Sequence, residues 1–138
     1  MTFTGSKAAL IFNDQLLVFL RDDTPGLRFR NLWDFPGGGR EGEESPFETL
    51  NREVQEEFGI TLTERAVLWK KEYPAMHDPS ERAFFFVINL TQTEIGNVVF
   101  GGEGQRWQLM PIDEFLSRND VVPDLKGRLK DYLDSVRI

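Results

Sequence analysis

The 138-residue chain predicts an α/β fold, and three observations carry the prediction. Short runs rich in Val, Ile, Phe and Leu recur along most of its length and read as strands. Residues 46–58 repeat their apolar positions at helical spacing. A second such pattern closes the chain from residue 125. Strand runs interrupted by two unequal helical segments are what an α/β arrangement is made of. With 40% hydrophobic residues and twelve Phe, the chain suffices for one packed domain over residues 1–138. A domain of this size buries roughly two-thirds of its unfolded surface. No linker, internal repeat or low-complexity tract divides it.

In chain order, residues 7–13 (KAALIFN) and 15–21 (QLLVFLR) form two strands joined at Asn13-Asp14, a hairpin turn. Residues 22–26 (DDTPG) make a loop. Residues 27–35 (LRFRNLWDF) alternate in part before running into Pro36 and the glycines at 37–39. After the first helix, residues 66–73 (AVLWKKEY) read as a strand and 74–80 as a loop punctuated by Pro74 and Pro79. Residues 82–90 (RAFFFVINL) are apolar almost without a break, the pattern of a central strand buried on both faces. Residues 91–97 are polar and read as a surface turn. Residues 101–110 (GGEGQRWQLM) begin glycine-rich and become strand-like, and 111–115 suit a short helix. From Asp124, placed as a cap, Leu125, Leu129, Tyr132, Leu133 and Val136 follow helical spacing.

The most informative stretch is residues 37–60, GGGREGEESPFETLNREVQEEFGI. Ser45 is a good N-cap, Pro46 suits the first helical position, and Gly59 sits where a left-handed residue ends a helix. Phe47, Leu50, Val54 and Phe58 make one apolar stripe. Off that stripe lie Arg52, Glu53, Glu56 and Glu57. Residues three and four apart are neighbours on a helix, so Glu53 faces both Glu56 and Glu57. Between positions 41 and 57 seven acids (Glu41, Glu43, Glu44, Glu48, Glu53, Glu56, Glu57) stand against a single Arg. Like charges at this spacing cost roughly 0.2–0.5 kcal/mol per pair, and no Lys relieves them. Crowded carboxylates are what a hard divalent cation needs, and Mg²⁺ takes one or two of them together with substrate phosphate oxygens. The glycine loop ahead of the helix offers backbone N–H groups to an anion. Together these features point to phosphate chemistry. A solvated acidic helix face is the plainer alternative.

Gly38, five residues, Glu44, seven residues, then Arg52-Glu53-Val54-Gln55-Glu56-Glu57-Phe58-Gly59-Ile60 resembles the signature box of the Nudix (MutT-like) hydrolases, with every specified position filled. The resemblance implies an α/β/α sandwich in which a mixed β-sheet lies between helices and the box forms loop–helix–loop. It implies hydrolysis of a nucleoside diphosphate linked to another group X, by attack of water on a phosphorus of the pyrophosphate. Mg²⁺ is the implied cofactor, with Mn²⁺ as a substitute. By the same resemblance Glu56 and Glu57 are metal ligands, and Glu53 is a ligand or orients the water. Arg52 holds Glu53 or its neighbours by a charge-assisted hydrogen bond. Glu44 joins the outer metal shell or fixes the loop, Gly38 supplies a carbonyl ligand or the loop shape, and Gly37 and Gly59 complete the frame of the box. Glu103, in Gly102-Glu103-Gly104-Gln105, resembles the late-loop Glu that several MutT-like enzymes use as a further ligand or general base. A solvated loop acid is its alternative reading.

Outside the box, Arg21, Arg28 and Arg30 stand out as basic residues in an acidic chain, near the entrance to the glycines. They read either as contacts to substrate or as charges on an edge strand. Phe84, with Phe29, Trp33 and Phe86, can stack a base or belong to the core. His77, the only histidine, reads as a surface residue. Oxidised-purine triphosphatases of the family read the base with an Asn before the final helix, and Val122-Pro123-Asp124-Leu125 offers none. The expected substrate is a nucleoside triphosphate cleaved to monophosphate and pyrophosphate. ADP-ribose or a nucleotide sugar is the enzymatic alternative, and a nucleotide sensor without turnover the non-enzymatic one. The net charge of −7 argues against a nucleic-acid polymer bound through a general basic surface. No apolar run approaches ~18 residues and no basic-then-apolar leader is seen, so neither a membrane span nor a secretory signal is expected. The absence of Cys excludes thiolate metal sites and suits a cytoplasmic location. A homodimer is compatible with the sequence.

Overall fold

In the computed structural model, which describes residues 2–136, the chain is built on one mixed sheet. β1 (Gly5–Phe12) and β2 (Gln15–Leu20) form the expected antiparallel hairpin. Asn13 and Asp14 turn it with φ of 48° and 60°. Two left-handed residues in a row match the twist of a hairpin, and Asn and Asp bear that conformation better than other residues with a Cβ. β2 pairs antiparallel with β7 (Arg106–Pro111) and with the two-residue β3 (Trp33–Asp34). β1 runs parallel to β6 (Arg82–Asn89), and β5 (Val67–Pro74) lies antiparallel beside β6 at the edge. β4 (Gly37–Gly39) pairs with the start of β1.

Helices cover both faces. α1 (Pro46–Phe58) buries Leu50, Val54 and Phe58 against Leu10, Phe84, Phe86 and Ile88, with Phe47 at the margin. α3 (Ile112–Ser117) and α4 (Leu125–Ser135) bring Phe115, Leu125 and Leu129 to the opposite face, against Leu16, Val18, Phe85 and Val87. Successive residues of β6 therefore serve both clusters, as the unbroken apolar run predicts. Each such side chain stabilises the fold by about 1.5–3 kcal/mol when fully buried. The layers make an α/β/α sandwich.

Several elements differ from the sequence reading. Residues 27–35 are strand only at Trp33–Asp34, because Phe29 and Asn31 both take φ of 57° and turn the chain. The glycines at 37–39 are a strand, not a loop. Gly37 sits at φ 134°, and a Cβ there would collide with the Ser6 carbonyl oxygen and Lys7 Cα, so the pairing with β1 admits only glycine. Residues 91–97 hold a short helix, α2 (Gln92–Gly96), closed by a capping box in which Thr91 and Glu94 each accept from the other's N–H. Asp124 stands at the N-terminus of α4 but at φ 74°, and its side chain makes no cap hydrogen bond. Val136 is 55% exposed, beyond the last residue of α4 and off its apolar stripe.

Candidate active site

Both ends of α1 are fixed as its sequence dictates. Ser45 and Glu48 form a reciprocal capping box, and Gly59 at φ 69° donates its N–H to the Gln55 carbonyl. Between those ends Arg52 lies among the acids. Its Nε donates to Glu44 Oε2 at 2.7 Å, its Nη1 to Glu53 Oε1 at 2.9 Å and to Glu56 Oε1 at 3.3 Å, and its Nη2 to the Gly39 carbonyl at 2.7 Å. One guanidinium thus ties the helix to β4 and orients two of the acids on the helix face. Glu44 also accepts from the Glu41 N–H and the Thr49 hydroxyl. The Arg52 hydrogen bond foremost holds the Glu44 carboxyl down at about 2.

The remaining acids are less well served. Burial raises the Glu53 carboxyl above its ordinary value, against the pull of Arg52 and with help from the charges of Glu56 and Glu103. Glu57 is more deeply buried and accepts from the Gly37 N–H at 3.0 Å. Its burial pushes the carboxyl up to about 8. Gly38 makes room for Glu53, since a Cβ there would lie 2.5 Å from the Glu53 carboxylate. The Gly38 carbonyl oxygen sits against β1, 2.6 Å from where a Cβ on Gly5 would stand. The structure therefore shows Gly38 giving close approach. Glu103 arrives from the glycine-flanked loop, and Glu53, Glu56, Glu57, Gly102 and Glu103 line one hollow of about 370 Å³.

Four carboxylates on one hollow are a donor set of hard oxygens suited to a divalent cation. Among the described residues no three acidic or histidine side chains are already drawn together closely enough to hold a metal ion. The reason is visible in the hydrogen bonds: Arg52 holds Glu53 and Glu56, while the Gly37 N–H holds Glu57. The donor chemistry fits a cation, and the exposed acids Glu56 and Glu103 are those with room to close on one.

A second cavity, of about 290 Å³, lies beyond Gly38 and is lined by Lys7, Arg21, Arg28, Arg128, Phe84 and Asp34 among others. A space of about 440 Å³ joins the two. It shares Lys7, Arg21, Asp34 and Gly38 with the cationic cavity and Glu53, Glu57 and Glu103 with the acidic hollow, so the three form one cleft. Asp34 organises the middle. Its side chain is 1% exposed and accepts from Lys7 Nζ at 2.6 and 2.7 Å, from Arg21 Nη1 at 3.0 Å and from the Phe35 N–H at 2.7 Å. Lys7, Asp34 and Arg128 were not among the residues the sequence singled out. An acid inside the apolar run LWDF and a Lys opening KAALIF were the available signals.

Of the basic candidates, Arg21 and Arg28 line the cleft, Arg28 donating to the Met76 carbonyl and lying over the Phe29 ring. Arg30 instead pairs with Asp23 at the surface and lines none of the three spaces. Phe84 and Phe29 reach the cavity, as does His77, whereas Trp33 and Phe86 are core, each 2% exposed.

A sandwich carrying crowded helix acids beside a cationic cleft is the arrangement that the signature box implies. The chain belongs to the NUDIX domain family, whose model matches residues 3–132. It is 33% identical over 101 residues to an 8-oxo-dGTP diphosphatase of Haemophilus influenzae, covering 71% of this chain and 68% of that relative. It is 50% identical over 61 residues to an 8-oxo-dGTP diphosphatase of Proteus vulgaris, covering 44% of this chain and 54% of that relative, about half its length. Its fold matches the crystal structure of a MutT protein from Methanosarcina mazei Go1 with a TM-score of 0.74 at 17% identity, over 97% and 94% of the two chains. Nudix hydrolases generally use divalent metal ions. No helix among the described residues is long and apolar enough to cross a membrane.

Proposed function

We propose that this domain hydrolyses nucleoside triphosphates to monophosphate and pyrophosphate with a divalent cation, Mg²⁺ or Mn²⁺, in the cytoplasm. One observation carries the reading: the acidic hollow and the cationic cavity are ends of a single cleft that meets at Gly38 and Asp34. A polyphosphate laid along it has its charge answered by Lys7 and Arg21, which Asp34 holds in place. Glu53, Glu56, Glu57 and Glu103 would hold the metal. When bound, the cation neutralises phosphate charge and favours attack at phosphorus.

Phosphoryl transfer depends on alignment and electrostatics more than on a protein nucleophile. Water forms the new P–O bond, the bond to the leaving pyrophosphate breaks, and a carboxylate takes the water's proton. Glu53, oriented by Arg52 and raised by burial, would take that role in place of a metal-ligand role. Glu103, on its glycine-flanked loop, is the other proton acceptor within the hollow. The test is release of pyrophosphate, read as phosphate after pyrophosphatase, across dNTPs, oxidised dNTPs and NTPs with Mg²⁺. ADP-ribose, nucleotide sugars and dinucleoside polyphosphates are run beside them with a phosphatase coupling. Turnover confined to the second panel would overturn the triphosphate assignment, and silence on both would favour a nucleotide sensor.

A further inference from the structure

Arg128 differs from the other cations of the cleft. It is 4% exposed, whereas Lys7 and Arg21 are partly exposed and share Asp34. Its Nη2 donates to the Pro74 carbonyl at 2.9 Å, and its guanidinium lies 4.9 Å from the centre of the Tyr73 ring. Asp124, four residues earlier in the chain, acts on it through its charge, while the side-chain hydrogen bond goes to the carbonyl. A guanidinium carries five N–H donors, so most of them remain for whatever enters the cavity the side chain lines. Burial lowers the pKa of this group, against the opposing pull of the Asp124 charge, so desolvation outweighs the compensation it receives. A ligand that supplies acceptors there removes the deficit.

The other walls say what form those acceptors take. Phe29, Met76, Phe84 and Val122 present apolar surface to the cavity. Its volume of about 290 Å³ stands at the small end of ligand sites, which run from about 300 Å³ upward. A bare phosphate gains nothing from apolar walls. A flat ring with acceptors along one edge uses both the walls and the guanidinium. Guanine offers O6 and N7 on such an edge to the fork of an arginine, while adenine puts an amino group in place of the oxygen.

We propose that Arg128 is a specificity-determining residue, its guanidinium reading the acceptor edge of an oxo-purine base seated between Phe84 and the Phe29 loop. The inference rests on the nucleotide-hydrolase reading above and assigns its base preference to a donor on α4. Val122-Pro123-Asp124, immediately ahead of that helix and without an amide side chain, is not needed for it.

The experiment compares kcat/KM for dGTP and dITP, which both present O6 and N7 as acceptors, against dATP in the wild type, Arg128→Lys and Arg128→Gln, with melting curves for all three. Lys keeps the charge and loses the fork. The oxo-purine preference is expected to fall by about tenfold to a hundredfold in both variants, chiefly through KM. An unchanged ratio in a folded variant, a uniform loss on all three substrates, or a wild type without preference would overturn the proposal. Should Arg128→Gln fail to fold, Arg128→Lys decides. Calorimetric binding of dGMP, dAMP and inorganic phosphate separates this from the reading it rests on. If the wild type turns over no nucleotide, the hydrolase reading falls. Tighter binding of dGMP than dAMP, abolished in Arg128→Lys, still supports the base-edge assignment. Loss of phosphate affinity equal to the loss for dGMP shows an anion site instead and overturns it.

Discussion

The two ends of the cleft are built in opposite ways. At the acidic end, Arg52, Glu53, Glu56 and Glu57 come from one face of α1, and a single cation is shared among several acids. At the cationic end, Lys7, Asp34 and Arg128 come from three separate elements and Arg21 from the loop after β2, and one buried acid is shared between two cations. Each end is left with an excess of one sign that the protein does not relieve. The acidic end calls for a cation and the cationic end for an anion, which a metal–polyphosphate supplies in one ligand.

The strongest way to break this comparison is at Glu57. Glu57→Gln keeps the hydrogen-bonding shape and removes the charge, and hydrolysis is expected to fall by at least about 10²–10³-fold in kcat. The melting temperature at pH 8 should hold or rise, because a buried carboxyl that resists ionisation is gone. Near-normal turnover would take Glu57 out of the metal set. At the other end, Asp34→Asn leaves Lys7 and Arg21 facing each other without their counter-charge. Breaking a buried pair costs about 3–5 kcal/mol, and the partial exposure of both cations places this one toward the lower figure. Denaturant unfolding reads the loss, and KM for the nucleotide should rise with it. A change well below about 1 kcal/mol would show that Asp34 is not what holds the pair.

The acidic end also predicts opposite pH dependences from neighbouring residues. The Glu57 carboxyl is raised from 4.5 to about 8 in the folded protein. Between those values the folded form holds a proton that the unfolded form has lost. In chelator, stability should therefore decline as pH rises from 4.5 through about 8. Mg²⁺, by taking the place of that proton, should flatten the slope. The Glu44 carboxyl is lowered to about 2 by Arg52, so its contribution is present above 4.5 and lost as pH falls toward 2. Melting curves across pH, with and without Mg²⁺, test both arms. The same curve in Mg²⁺ and chelator would argue that Glu57 is remote from any cation.

The contrast also explains what was legible in the sequence. A helix places neighbours three and four residues apart, so the acid face, its caps and its apolar stripe can be read from 23 consecutive residues, 38–60. Lys7, Asp34 and Arg128 meet only after the sheet and α4 have formed, and no local period announces them. β4 was hidden for another reason: three glycines carry no side-chain alternation, and only the closeness of Ser6 and Lys7 to Gly37 shows why glycine is required. α2 was legible in principle, since Thr91-Gln92-Thr93-Glu94 has the spacing of a capping box. Arg21 and Arg30 looked equivalent because both are basic residues near the same glycines. Chain reversal at Phe29 and Asn31 is what separates them.

That pair gives the smallest and sharpest test. Arg21→Ala and Arg30→Ala make the same change in net charge, nine positions apart in the chain. Arg21 is held against buried Asp34 within the cleft, so its loss should raise KM about tenfold, the scale of a charge-assisted phosphate contact. Arg30 pairs with Asp23 at 3.3 Å with both side chains about half exposed. Such surface pairs contribute about 0–1 kcal/mol to stability, and at physiological salt the field of an exposed charge fades over about 8 Å. Arg30→Ala should therefore shift KM less than twofold and leave the melting temperature nearly unchanged. Equal effects from the two variants, shrinking together as salt is raised, would mean that the general field of the protein attracts the nucleotide. The division of the cleft into an acidic and a cationic end would then lose its contact-level meaning.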